Sequence, residues 1–221
     1  MRLVLASQSP SRLKLLRMAG IEPEVVVSRV DEDAVAAAAG PLGPEEYVQL
    51  LATAKARAVA GAIAGAVAEQ PALEQPALRL APLAPGPGGL VLGSDSAFVL
   101  DGEIHGKPHT PELAAERWRR MRGRTGRLVT GHTLIDLATG EEREAVADTE
   151  LDFAELNDAE IDWYVASGEP LEVAGAFTLD GLASAFITRI DGDPHAVVGL
   201  SIATLRRLIL DLGHDWTELV G

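Results

Sequence analysis

The chain has no cysteine, which removes disulfides, Cys-ligated zinc and thiol nucleophiles from consideration. Aromatic residues make up only 4% of its 221 residues, too few for a platform on which nucleic-acid bases stack in series. Cations are scarce as well: 19 Lys and Arg stand against 33 Asp and Glu, for a formal charge of −14. That balance argues against a nucleic-acid backbone or a membrane surface as the main partner. No apolar run reaches transmembrane length without Gly, Pro or a charge. The strand-like LVLA after Met1-Arg2 is far too short for a signal-peptide core, so a soluble, cytoplasmic protein is expected. His105, His109, His132, His195 and His214 show no metal-ligand spacing. GPGGLVLG lacks the spacing of a dinucleotide fingerprint, there is no Walker A sequence, and no serine lies in a G-x-S-x-G context.

What remains is an Ala/Leu/Val-rich chain, 47% hydrophobic, able to bury a sizeable core in one large domain or one domain with two lobes. LVLASQSPSRLKLLRMAG reads as a short strand, a hydroxyl-rich turn and a helix, with Ser9 as its cap and Pro10 in its first position. A strand over Val25 to Val27 leads to an acidic loop, Asp31-Glu32-Asp33, and the Ala/Gly/Pro-rich residues 34–43 are expected to be loop. A long helix starts at Pro44. Residues 69–89, with a direct EQPAL repeat and many prolines, read as a mobile low-complexity insertion within a single domain over 1–221.

Beyond it a buried strand runs to Asp95 and continues through Ala97 to Leu100. Asp101-Gly102 makes a two-residue hairpin turn, and the return arm ends at Lys107-Pro108. Thr110-Pro111 opens a basic helix to Met121, and two strands flank a turn at Ala138 to Gly140. Asn157 caps a helix to Ala166, GLASAFITRIDGD is a strand into a turn, and Ser201 to Leu212 is an amphipathic helix. Helices alternate with strands and hairpins alike, so the fold class is α/β with a mixed β-sheet flanked by helices.

Several charges sit where a structural residue would be costly. On a helical wheel Leu13, Leu15, Leu16, Met18 and Ala19 form one apolar arc, and Arg12 lies in its middle, in the first turn. Burial and the positive end of the helix dipole both disfavour a cation there. Lys55 likewise lies among Leu51 and Val48 of its helix; for both residues a side chain snorkelling to solvent is the plain alternative. Lys107, before Pro108, is held extended at a strand end, where α/β sites form. Opposite these cations stand two carboxylates, Glu32 after a strand and Asp95 within one, although an Asp after VLGS can also serve as a turn cap. Three cations placed this way in an acidic chain suit a polyphosphate, and Glu32 and Asp95 suit a divalent metal.

Taken in order, LASQSPSRLKLL, VDE, ATAKA, LGSDS, HGKP, SGEPLEVAGAFTLDG and GDPHAVVGL resemble the blocks of the Maf family of nucleoside triphosphate pyrophosphatases. These proteins were once described as septum-formation inhibitors. The resemblance spans the chain apart from 69–89. It implies a Maf/ITPase-like fold with two lobes around a central cleft, and metal-dependent (Mg²⁺ or Mn²⁺) hydrolysis of a nucleoside triphosphate to monophosphate and pyrophosphate, a house-cleaning reaction. By position, Asp95 matches the catalytic proton acceptor. Arg12, Lys55 and Lys107 match the basic residues of the phosphate site, Glu32 an acidic residue sharing metal or water, and Ser7 a serine of the N-terminal loop. Ser11, Ser96 and Asp180 fall where the family sets base choice, and each departs from the pyrimidine-preferring pattern. A carboxylate at Asp180 suits a donor edge such as that of guanine. The resemblance leaves a homodimer open. Two other readings stand beside it: a nucleotide-binding regulator of division acting by contact, and a sugar-nucleotide transferase, which would need a second acceptor pocket.

Overall fold

The computed structural model describes residues 1–68 and 88–220. The expected insertion at 69–89 therefore lies outside the described residues, except for Gly88 and Gly89. Strands β1 (Leu3–Leu5), β2 (Glu24–Val25), β3 (Leu90–Leu100), β4 (Glu103–His105), β5 (Thr125–Asp136), β6 (Glu142–Phe153) and β7 (Ile187–Asp191) form one mixed sheet. Its order is β2-β1-β3-β5-β6-β7, with β4 also paired to β3. β1 runs parallel to β2 and β3, and every other pairing is antiparallel. Helices α1 (Pro10–Met18), α2 (Glu32–Ala39), α3 (Pro44–Ala68), α4 (Pro111–Met121), α5 (Asp158–Ala166), α6 (Pro194–Val198) and α7 (Ile202–Asp211) cover it.

β3 organises the molecule. Leu90–Leu92 pair with β1 on one edge, and Phe98–Leu100 pair with β4 on that same edge. Between them, residues 93–97 have a strand partner only on β5. The sheet forks there, which is where α/β folds open a crevice. Alternation along β3 sends Val91, Gly93, Asp95, Ala97 and Val99 towards α3, and Leu90, Leu92, Ser94, Ser96 and Phe98 to the other face. On the α3 side the helix backbone comes very close. A Cβ on Gly93 would lie 2.1 Å from the Ala52 carbonyl oxygen, and one on Gly131 would lie 2.5 Å from that of Val48. Only glycine lets α3 settle at this depth.

The apolar residues gather in two larger cores and two smaller clusters against α3. Leu3, Leu5, Leu16, Leu92, Leu134, Leu205 and Ile209 belong to a core around α1 and α7. Phe98, Trp118, Phe153, Tyr164 and Phe177 belong to another around α4 and α5. The scarce aromatics are thus pooled: all four Phe of the chain join Trp118 and Tyr164 in edge-to-face contacts at 5.2–5.8 Å. Each such pair contributes on the order of 1 kcal/mol beyond its buried area. Trp118 Nε1 donates to the Ala176 carbonyl at 2.8 Å, and so fixes the 174–176 turn in which Ala176 has φ +64°.

Four expectations need correction. Residues 34–43 are not all loop, because α2 runs from Glu32 to Ala39. Its Asp31 cap accepts from Ala34 N at 3.0 Å, and a run of alanines, the best helix formers, follows. The strand expected over Val25 to Val27 is only Glu24–Val25, an edge strand with Val25 and Val27 both exposed. Met18 leaves the apolar arc for solvent, 69% exposed, because α1 ends there and only Leu15 and Leu16 are fully buried. The strand read from GLASAFITRIDGD begins at Ile187, after a 3₁₀ turn over Leu182–Phe186, and the short α6 capped by Asp193 was not foreseen.

Candidate active site

At the fork lies a cleft of about 650 Å³. It is lined by the turn from Ala6 to Arg12, the 27–30 loop, Glu32, Lys55, Asp95, Ser96 and Lys107, and by Leu128, 172–174, Phe177, Thr178 and 197–199. Eight of the nine residues expected to act together, Ser7, Ser11, Arg12, Glu32, Lys55, Asp95, Ser96 and Lys107, line it. The ninth, Asp180, does not. Its carboxylate takes an ion pair from Lys14 at 2.9 Å and the Thr178 hydroxyl at 2.6 Å.

Lys55 is neither snorkelling nor idle. Held on α3 and 7% exposed, its Nζ meets Asp95 Oδ1 at 2.6 Å and Glu32 Oε1 at 2.8 Å. One ammonium thus spans the two carboxylates that were read as metal ligands. Asp95 is 8% exposed, and burial pushes its carboxyl above the ordinary Asp range, against the pull of Lys55 and Arg12. Its Oδ2 makes no hydrogen bond among the described residues.

Arg12 is placed by neutral acceptors. Nε donates to the Gly199 carbonyl at 2.8 Å, one terminal nitrogen to Ser7 Oγ at 3.2 Å and the other to Ser96 Oγ at 3.1 Å. Burial works against the guanidinium, while Asp95 and Glu32 support its charge from a distance. No carboxylate among the described residues touches it, so its charge stays open to an incoming anion. Ser96 is itself braced by Thr130, whose Oγ1 lies 3.0 Å away and bonds the Ala196 carbonyl. Gly199, at φ +125°, turns the carbonyl that Arg12 and Ser94 share, a conformation suited to glycine. Lys107 is exposed and makes no ion pair among the described residues.

The cleft lining is therefore mixed: cations, hydroxyls and the Asp95–Lys55–Glu32 chain stand together with Glu172 and with apolar Leu128, Val173, Ala174, Phe177, Val197 and Val198. These apolar lining residues were not among the expected site residues: Leu128 reads as an ordinary strand residue of β5, and the others lie in or beside 3₁₀ turns and α6, whose periods are too short to register. Arg29 was missed too. It lines the cleft from the loop before α2, and SRV in the sequence gives no sign of it.

No group of three His, Asp or Glu that could hold a metal occurs among the described residues, and no helix among them is long and apolar enough to cross a membrane. The family model described as "Maf-like protein" matches residues 2–212. A protein of Leifsonia xyli subsp. xyli is 56% identical over 99% of this chain and 96% of its own length. One of Streptomyces coelicolor is 50% identical over 99% and 94%, and one of Corynebacterium jeikeium 46% identical over the whole of both chains. Each of the three carries the name nucleoside triphosphate pyrophosphatase.

Proposed function

The chain belongs to the Maf-like family, and from that premise we propose that it hydrolyses a nucleoside triphosphate to the monophosphate and pyrophosphate. The observation that carries this is the pairing, in one cleft, of an Asp95 carboxylate clamped by Lys55 with an Arg12 charge that no carboxylate neutralises. Pure binding needs only the second. The triphosphate meets the charged residues of the lining, with Arg12, Lys107 and Ser7 on its oxygens, and the sugar and base meet its apolar residues.

Asp95 then takes a proton from a water as the water oxygen attacks the α-phosphorus. The bond from that phosphorus to the α–β bridging oxygen breaks, and its electron pair leaves with pyrophosphate. Lys55 holds Oδ1 and so aims Oδ2, the oxygen without a partner, at the water. Arg12 stabilises charge that grows on the leaving group. No covalent intermediate is needed.

Two carboxylates fall short of a complete protein cage for a metal, but Mg²⁺ is commonly held by one or two carboxylates together with substrate phosphates. Glu32 and Asp95 fit an ion that arrives with the polyphosphate. When bound, such an ion neutralises phosphate charge and lowers the pKa of a water. Ser11, on the cleft rim, contacts the substrate directly. Ser96 acts through Arg12, and Asp180 through the Thr178 hydroxyl it accepts from. A substrate of this kind and a chain without cysteine fit a house-cleaning role in the cytoplasm.

The test is product analysis on a panel of ordinary and modified nucleoside triphosphates with Mg²⁺ or Mn²⁺. Monophosphate and pyrophosphate in equal amounts are expected. Orthophosphate and diphosphate as first products overturn the reading.

A further inference from the structure

Arg29 stands in the loop between β2 and α2, among the residues that line the cleft. Three observations single it out. It is exposed, yet in a chain with 33 acidic residues it makes no ion pair or side-chain hydrogen bond among the described residues. Lys55, which also lines the cleft, is by contrast paired with two carboxylates. And its backbone sits at φ +53°, in the left-handed region that L-residues other than Asn and Asp rarely enter. A glycine would hold this turn without strain.

A strained backbone that presents an unpaired guanidinium to a cleft calls for a reason at the cleft. The position within the site says which part of a ligand it meets. Arg29 stands three residues before Glu32, which pairs with Lys55 at 2.8 Å, and so enters the lining beside these charged groups. Its partner is then an oxyanion and not a base edge. Lys55 is committed to Asp95 and Glu32, Arg12 bonds three neutral acceptors and keeps its charge open, and Lys107 and Arg29 line the cleft without a partner among the described residues.

Resting on the nucleotide reading above, we propose that Arg29 is an additional substrate-contacting residue, donating to the phosphate oxygens of the triphosphate. The loop backbone fixes where its Cα stands, and the long side chain supplies the reach. Planar, paired N–H groups suit two phosphate oxygens at once, which a lysine at the same position matches only as a point charge.

The test compares wild type with Arg29→Gly, Arg29→Asn and Arg29→Lys, measuring calorimetric affinity for a nucleoside triphosphate whose α–β bridge is methylene and is not cleaved. Gly and Asn both accept the left-handed turn without the charge, so a folding defect is not built into either variant. Affinity is expected to fall about tenfold in both, the scale of one charge-assisted hydrogen bond. Arg29→Lys should recover part of the loss. Raising salt should weaken the wild type more steeply than Arg29→Gly, since one fewer ionic contact remains to be screened. Thermal midpoints should stay near that of the wild type, because relief of strain and the added freedom of the unfolded glycine chain oppose one another. Equal affinity in all four proteins, with equal salt slopes, overturns the assignment. A wild type that binds the analogue but releases no pyrophosphate from a cleavable substrate overturns the pyrophosphatase reading instead, and leaves the affinity result on Arg29 standing.

Discussion

Asp95 and Lys55 are buried together, and what each contributes follows from what faces it. Asp95→Asn keeps size and shape while removing both the proton acceptor and half of Lys55's compensation. Turnover should fall by about 10²-fold or more, the usual scale for a lost acid–base group. The pH dependence has a definite sign. Burial raises the Asp95 carboxyl in the folded state, so between the ordinary Asp value and the raised one the folded protein binds more protons than the unfolded chain. Stability from this group is full below the ordinary Asp range and is lost as pH rises through the raised value. Activity moves the other way, rising as Asp95 ionises. Melting temperature and single-turnover rate on the same samples should therefore cross over with pH in the wild type, and Asp95→Asn should lose both slopes. A variant that is less stable yet fully active would reduce Asp95 to a structural partner of Lys55. Single charges of this kind were legible in the sequence because a cation on an apolar arc is an anomaly in one dimension. That Lys55 bridges Glu32 and Asp95 was not legible, since the bridge joins α3, α2 and β3 across the chain.

Long helices and hairpins announce themselves by period and turn chemistry. Pro44 and Asn157 start helices as read, and Asp101-Gly102 makes the hairpin turn with both residues at positive φ. Asn157 even completes a reciprocal capping box with Glu160. Short elements escape this reading: α6 is a single capped turn, and the alanines of α2 show no apolar face to betray a helix. The depth of α3 against the sheet depends on glycines that are silent in sequence. Gly93→Ala places a methyl against the Ala52 carbonyl, a contact only a shift of backbone can relieve, at a cost of roughly 1–3 kcal/mol. Since Lys55 rides on the displaced segment, its 2.6 Å contact to Asp95 should open and turnover should fall at least tenfold. Gly61→Ala, on the same helix with nothing within 4 Å, is the matched control. It should gain about 0.5–1 kcal/mol with unchanged turnover. Equal behaviour of the two variants, by thermal melts and steady-state rates, would dissociate the depth of α3 from the chemistry.

At the scale of the molecule, the mixed sheet and the flanking helices follow from the order of elements, but the fork does not. It arises because β3 is long enough to pair with β1 at one end and β4 at the other, leaving 93–97 open between two cores. His132 is buried on β5 behind that opening, and its Nε2 accepts from Ser201 N at 2.9 Å, tying the sheet to the cap of α7. Burial, the largest cause, lowers its pKa from the ordinary histidine value of about 6.5 to about 4. Here the folded value lies below the unfolded one, so the unfolded chain binds the extra proton between the two. Stability is unaffected above about pH 6.5, and is lost as pH falls from there to about 4. The full loss is on the order of 3 kcal/mol, a large part of the stability of an ordinary domain. Lowering pH also returns the Asp95 contribution, so the two groups oppose one another in mildly acid solution. His132→Gln separates them. Its side-chain oxygen can still accept from Ser201 N, but it cannot titrate. Urea midpoints measured from pH 7 to pH 4.5 should fall more steeply for the wild type than for the variant, in which the carboxylates alone titrate. Parallel curves for the two proteins would show that acid sensitivity comes from elsewhere in this strongly acidic chain, and that His132 gains its proton without the fold opening.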